Sequence, residues 1–247
     1  MASSTLFYKE PTVLSKDAHP EITFKSAGDL SFANEMNSVP IAGAEFPQAL
    51  QDHPIFFVKS DKEAGFTPVC LLSLTNGTHS LGDKWDEAYV PAFIRRYPFG
   101  VTEDGTVVFD KAAPHFDGEG DKLFDDKKEP TDALKNIINF LGSVDAGYQE
   151  TDAFCKALAD KGMIVPFEQS LKIGERSINL GELHKIDEAK LYDLDEKELH
   201  EWFNKKWIAW SYSHLASITN LSKVVKRLEK DQATAVEKAK EQKSEEA

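Results

Sequence analysis

The hydrophobic pattern of the chain changes period at Pro130-Thr131, and that change limits the folds open to it. Ahead of this point the apolar residues come in short runs bounded by turn formers. Pro54-Ile55-Phe56-Phe57-Val58, Pro68 to Leu74, and Thr106-Val107-Val108-Phe109 after Asp104-Gly105 read as buried strands. Lys122-Leu123-Phe124 is a shorter candidate, and Asn76-Gly77 reads as a turn into His79-Ser80-Leu81. Beyond Pro130 the spacing becomes three and four. Thr131 is a good N-cap, Leu134, Ile137, Ile138 and Leu141 share a helical face, and Gly142 stands at the expected stop. A second helix is expected from about Thr151, burying Phe154 and Leu158 and ending at Gly162. Strands followed by helices prescribe an α+β fold: a mainly antiparallel sheet from the first half, covered by helices of the second. The order of the strands is not legible.

Met163-Ile164-Val165-Pro166-Phe167 interrupts the helices as a strand, and Ser170–Ile173 with Ser177–Leu180 around Gly174 reads as a hairpin. Asp187 to Leu194 is a short helix, and Asp195 caps the next one with Glu198 as capping-box partner. The run Trp207 to Tyr212 is so uniformly apolar that periodicity does not separate strand from helix. Ile218, Leu221, Val225 and Leu228 form two coiled-coil-like heptads. The seam then fades at Gln232, Ala235 and Ala239. A helix that docks at its start and frays outward is expected there, with a homodimer through this helix as the alternative. The organisation read from the sequence is an irregular arm over residues 1–38, an α+β body over 39–228 and a charged helical tail over 229–247.

Composition excludes several classes of partner. The formal net charge is −13, which repels nucleic-acid phosphates and anionic lipid. No apolar run approaches the roughly 20 residues of a membrane span. The N-terminus lacks the basic start and apolar stretch of a secretory signal. Cys70 and Cys155 lie far apart in apolar surroundings and read as buried thiols. A cytoplasmic location is expected.

The segment with the most chemistry is Trp85 to Phe99, WDEAYVPAFIRRYPF. Arg95 and Arg96 are neighbours whose side chains diverge, so one structural partner does not serve both. One is expected to hold a buried carboxylate, Glu45 or Asp86, and the other to offer its planar fork to a small anionic or aromatic ligand. Trp85, Tyr89 and Tyr97 beside them suit stacking. Two readings compete, a core corner stapled by aromatics and an Arg–Glu pair, and a ligand pocket. His214, in apolar surroundings, is the histidine most worth following. Paired with Glu45 it would supply acid–base chemistry to an enzyme acting on a carboxylated or aromatic substrate. His115-Phe116-Asp117 spells the His-x-Asp of iron(II)/2-oxoglutarate oxygenases, for which His184, His200 or His214 is a candidate third ligand. The pair falls in Asp110 to Gly120, which reads as a polar loop. No serine elbow, phosphate loop, dinucleotide fingerprint or Cys-x-x-Cys is present, and no metal or cofactor is expected.

Several separated segments resemble the SapC family: Val39-Pro40 to Glu45-Phe46-Pro47, His53 to Phe57, Trp85-Asp86 to Ala92, Arg95-Arg96-Tyr97-Pro98-Phe99, Leu123-Phe124, Thr151–Leu158, Ile186 to Leu191 and His214 to Ser217. The resemblance runs from about Val39 to about Leu228, and Arg-Arg-Tyr-Pro-Phe is its most specific block. It implies a bacterial protein linked to surface-layer (S-layer) systems, with relatives encoded near TonB-dependent receptors and tryptophan-halogenase-like proteins. A non-enzymatic accessory role toward a protein partner of the envelope follows. The resemblance supplies no catalytic residues. The chain departs from the family pattern in a longer N-terminal arm and a Lys/Glu-rich tail.

Overall fold

The computed structural model describes residues 7–26, 28–75, 79, 81–82, 85, 88–102, 104–173, 176–231 and 233. The expected turns at Asn76-Gly77 and Gly174, the acid Asp86 and the tail beyond residue 233 lie outside them. The strands are β1 (Pro11–Val13), β2 (Thr23–Phe24), β3 (Ser38–Pro40), β4 (Ile55–Lys59), β5 (Phe66–Leu71), β6 (Phe99–Val101), β7 (Val107–Asp110), β8 (Asp121–Lys122), β9 (Ile164–Pro166), β10 (Ser170–Ile173), β11 (Arg176–Asn179) and β12 (His184–Ile186). The helices are α1 (Phe46–Ala49), α2 (Ala92–Arg95), α3 (Asp132–Asp160), α4 (Glu188–Leu191), α5 (Glu196–Asn204), α6 (Trp207–Ser217) and α7 (residues 221–231).

The fold is α+β. A central five-stranded sheet runs β3-β5-β4-β12-β9, and its pairings are antiparallel. β4 and β5 form its longest ladder, from Ile55↔Cys70 to Lys59↔Phe66. A second sheet, β1-β7-β6, and the pairs β2-β8 and β10-β11 complete the strands. The hairpin expected around Gly174 is thus formed by β10 and β11.

Segments 11–13 and 23–24 lie within the stretch expected to be irregular. They are strands because β7 and β8 present open edges to them, with Pro11↔Asp110 and Thr23↔Lys122 as partners. Such long-range pairing has no local signal.

The short helices α1 and α2 have no counterpart in the sequence reading, and beyond Pro130 one further difference stands out. Gly142 does not stop a helix: the two expected helices are one, α3, 29 residues long and about 43 Å end to end. Its buried positions Leu134, Leu141, Val144, Thr151, Phe154, Cys155 and Leu158 form one continuous stripe past the glycine. Gly142 lies on the exposed face, where packing overrides its low propensity. Thr131 caps the start, its hydroxyl accepting from Leu134 N at 3.4 Å. The end is at Gly162, φ +61°, where Met163 N donates to Leu158 O and Gly162 N to Ala159 O. The capping box at Asp195 and Glu198 forms as read. The run Trp207–Tyr212 is helical, in α6, with Trp207, Trp210, Ser211, His214 and Ser217 buried.

The hydrophobic interior has two main centres. The larger contains Ile41, Phe46, Ile55, Phe57, Trp85, Phe93, Phe154, Trp202, Trp207 and Trp210. The second contains Phe99, Phe109, Leu123, Phe124, Leu134 and Leu141. α3 spans both, its first turns on the second centre and its last turns on the first. Cys70 and Cys155 are buried free thiols, and burial pushes Cys155 up to about 12. Among the described residues no helix is long and apolar enough to cross a membrane.

Candidate functional site

The Trp85–Phe99 segment joins the two hydrophobic centres. Trp85, Phe93 and Ile94 belong to the first and Phe99 to the second. Between them the chain makes the single turn α2, which starts after Pro91. The orphan N–H of Ala92 is received by Glu45 Oε1 at 2.7 Å. The same oxygen accepts the Tyr89 hydroxyl at 2.7 Å, and Oε2 accepts Ala42 N at 3.2 Å. Arg95 completes the corner. Its Nη2 lies 3.5 Å from Glu45 Oε1, Nε donates to Val90 O at 2.9 Å, and its guanidinium sits over the rings of Tyr89 and Phe140. Glu45 is only 8% exposed, so its carboxylate is the centre of a corner rather than a free base. Burial, followed by the Glu45 hydrogen bond and charge, raises the Tyr89 phenol above its ordinary value.

The two arginines diverge, and the expected carboxylate pair falls to Arg95 and Glu45. Arg95 holds Glu45, while Arg96 points elsewhere, its guanidinium stacked over Phe93 at 4.5 Å. Tyr97 lies against residues packed on the first centre, Phe7 and Phe32. It stacks on Phe32 at 4.2 Å, and its hydroxyl donates to Asp110 Oδ2 at 2.9 Å. Trp85 is fully buried with φ +55°, edge-on to His53 and His79.

Asp110 is the residue that sequence reasoning missed. Its sequence context reads as the head of a polar loop, yet it is fully buried. It accepts from Lys9 N at 2.9 Å, Glu10 N at 2.8 Å, Tyr97 Oη and Ala112 N. Burial pushes its carboxyl up, but the backbone N–H groups of Lys9 and Glu10 and the Tyr97 hydroxyl together outweigh this and hold it below the usual range. An acid directly ending the apolar run Val107-Val108-Phe109 was the available signal. His115 in the same stretch is also buried, stacked parallel to Phe24 and edge-on to Tyr97. Asp117 is exposed and accepts from Glu119 N, so the His-x-Asp pair is not arranged as ligands. Among the described residues no group of three or more His, Cys, Asp and Glu is placed to hold a metal ion.

His214 lies on α6, where it works on the sheet. β12 and β4 pair at one position, His184↔Phe57. Beside it, two strand amides are taken by α6 side chains. His214 Nε2 accepts Ile186 N at 3.1 Å and Ser217 Oγ accepts Ile55 N at 2.9 Å. An Nε2 that accepts must be unprotonated, and burial depresses the His214 pKa to about 3. No hydrogen bond or ion pair joins it to Glu45 among the described residues, so the expected acid–base pair is not assembled. Two surface depressions, one at Lys59, Ser60, Asp61, Gly65 and Phe66 and one at Asp195, Glu196, Lys197 and His200, are lined by none of the Trp85–Phe99 residues, Glu45 or His214; of the histidines considered as a third metal ligand, His200 lines the second.

The family model described as SapC matches residues 14–224. It thus takes in residues 14–38, which the sequence reading set outside the resemblance. No curated protein and no solved structure matches the chain. The match covers both hydrophobic centres and the whole Trp85–Phe99 junction, and the chain belongs to the SapC family.

Proposed function

We propose that the protein is a non-enzymatic binding protein, a cytoplasmic accessory factor of bacterial surface-layer or outer-membrane receptor and uptake systems. One observation carries the non-enzymatic part: the Glu45 carboxylate, the accepting nitrogen of His214 and the Tyr97 hydroxyl, the candidate groups for acid–base chemistry, are engaged inside the fold. Glu45 receives two backbone amides and the Tyr89 hydroxyl, His214 receives Ile186 N–H, and Tyr97 is bonded to Asp110. A general base or acid needs an atom within reach of a substrate proton, and these atoms are occupied. The link to surface systems rests on membership of the family.

The exposed chemistry supports a protein partner. Leu199 and Phe203, one turn apart on α5, are 47% and 71% exposed, and Tyr192 and Tyr212 are exposed as well. Large apolar side chains on an acidic surface suit contact with another protein better than capture of a polar metabolite. The test is quantitative affinity purification of the tagged chain from its bacterial host after mild cross-linking. The wild type is expected to enrich receptor or surface-protein components, and Leu199→Asp/Phe203→Asp to lose them. Enrichment no greater than with an unrelated acidic control, or turnover of a small carboxylated or aromatic compound by the purified protein, overturns the reading.

A further inference from the structure

Arg227 is a third arginine with a geometry unlike those of Arg95 and Arg96. It lies on α7, on the face that follows Asn220 and Lys223 at helical spacing. Those two residues tie the helix to the chain just ahead of β4. Asn220 Nδ2 donates to Leu50 O at 2.5 Å, and Lys223 Nζ donates to Gln51 O at 2.5 Å. One turn further on, the same face brings Arg227 to the next residues of that chain, where its charge acts on Asp52, His53 and, beyond them, His79.

Both Nε and Nη2 of Arg227 are buried without a hydrogen-bond partner among the described residues. These two atoms form the edge by which a guanidinium takes an oxyanion through two parallel bonds. Asp52 does not fill the role: its charge acts on Arg227, but no hydrogen bond or ion pair joins the two among the described residues, and its Oδ2 accepts Tyr89 N at 2.9 Å. A buried, unpaired charged fork is among the costliest arrangements a fold can retain, and an acceptor that docks there removes the cost.

His53, on which the Arg227 charge acts, and Trp85, whose ring meets that of His53, each bury a polar atom without a partner among the described residues, Nδ1 of His53 and Nε1 of Trp85. The two rings stand edge-on at 5.7 Å. His53 Nε2 bonds the Tyr89 carbonyl at 2.7 Å and so carries the proton, which leaves Nδ1 of the neutral ring as an acceptor. The neighbourhood therefore offers a charged fork, an indole donor and a single acceptor between aromatic rings.

We infer that the Nε–Nη2 edge of Arg227, beside Trp85 and His53, is a binding site for a small monocarboxylate. A single negative charge balances the one guanidinium. A phosphate dianion meets the negative charges of Asp52 and Asp231, both of which act on Arg227. The inference is independent of the protein-partner reading, since a ligand at α7 neither requires nor excludes a partner on α5.

The experiment uses the full chain labelled with ¹⁵N. The chain has four tryptophans, and Trp85→Phe assigns the Trp85 indole signal. Acetate, benzoate and inorganic phosphate are titrated separately at constant ionic strength. A carboxylate is expected to shift the Trp85 indole signal saturably and to raise the melting temperature, with phosphate inactive at the same concentration. In Arg227→Gln the affinity should fall at least about tenfold. If that variant does not fold, Arg227→Lys keeps the charge without the fork and must weaken binding as well. The inference is overturned by no saturable shift with either carboxylate, by unchanged affinity in a folded Arg227 variant, or by a response to phosphate alone. Destabilisation of Arg227→Gln in a protein blind to carboxylates overturns it too, since the fork then serves a group of the chain itself.

Discussion

Removing the Glu45 carboxylate tests whether the Trp85–Phe99 junction is held from its acid or from its arginine. In Glu45→Ala the N–H groups of Ala42 and Ala92 lose their acceptor in a buried setting. Each unsatisfied buried donor costs about 1–3 kcal/mol. The Tyr89 hydroxyl belongs to a half-buried residue and can turn toward water, adding about 0.5–1 kcal/mol. The Arg95 pair adds no more than about 1 kcal/mol, because the Arg95 side chain is 46% exposed and solvent screens the contact. Water entering the vacated space recovers part of the total, so the expected loss is about 3 kcal/mol, or roughly 6–12 °C in melting temperature for a chain of this size. Arg95→Ala removes the screened pair and the contacts with Tyr89 and Phe140, for about 1 kcal/mol. Urea unfolding followed by tryptophan fluorescence measures both. The reasoning fails if Arg95→Ala costs as much as Glu45→Ala, or if Glu45→Ala costs under about 1 kcal/mol.

Three further outcomes are expected. Gly142→Ala should stabilise by about 0.5–1 kcal/mol, because a Cβ there meets nothing within 4 Å on an exposed helix face; a calorimetric loss of stability refutes the continuous helix. Gly43→Ala should destabilise by about 2–3 kcal/mol, since its Cβ would meet Trp210 Cε3, with Cζ3 at 2.5 Å and Cδ2 at 2.7 Å, and that ring is pinned against Phe154; Trp210→Phe in the same chain should recover part of the loss in a double-mutant cycle. His214 gives a pH signature. Its pKa is depressed from 6.5 to about 3 in the fold, so the unfolded chain takes up a proton first as pH falls. Its contribution is complete above pH 6.5 and is lost between there and about 3. The slope is about 1.4 kcal/mol per pH unit. His214→Gln should flatten the pH dependence of urea midpoints across that window, and an unchanged slope argues against a neutral, buried acceptor.

The legible parts of this protein are those written in local chemistry. The runs at Ile55–Val58 and Pro68–Leu71 announced β4 and β5, Thr131 announced the start of α3, and Asp195 with Glu198 announced α5. In each case the residue type and spacing satisfy the backbone within a few positions. The division of Arg95 and Arg96 was legible for the same reason, because adjacent side chains diverge whatever the fold. Gly142 was misread because local propensity is weak against a buried stripe that continues on both sides of it.

Tertiary structure alone decided what crosses the chain. Asp110 is separated from Lys9 and Glu10 by about a hundred positions, and the carboxylate becomes a hub only once β1 lies along β7. His214 became a strand's acceptor because β12 and β4 meet at one ladder position and α6 fills the space beside it. Arg227 carries no local signal in a charged helix, and only the docking of α7 brings its charge to bear on Asp52 and His53. By itself the sequence determined the α+β class, the family and the arginine-bearing junction, since these depend on short-range patterns. Which polar groups the fold consumes, and which one it leaves with a free buried edge, depended on strand order and helix docking, because burial and pairing are properties of neighbours distant in the chain.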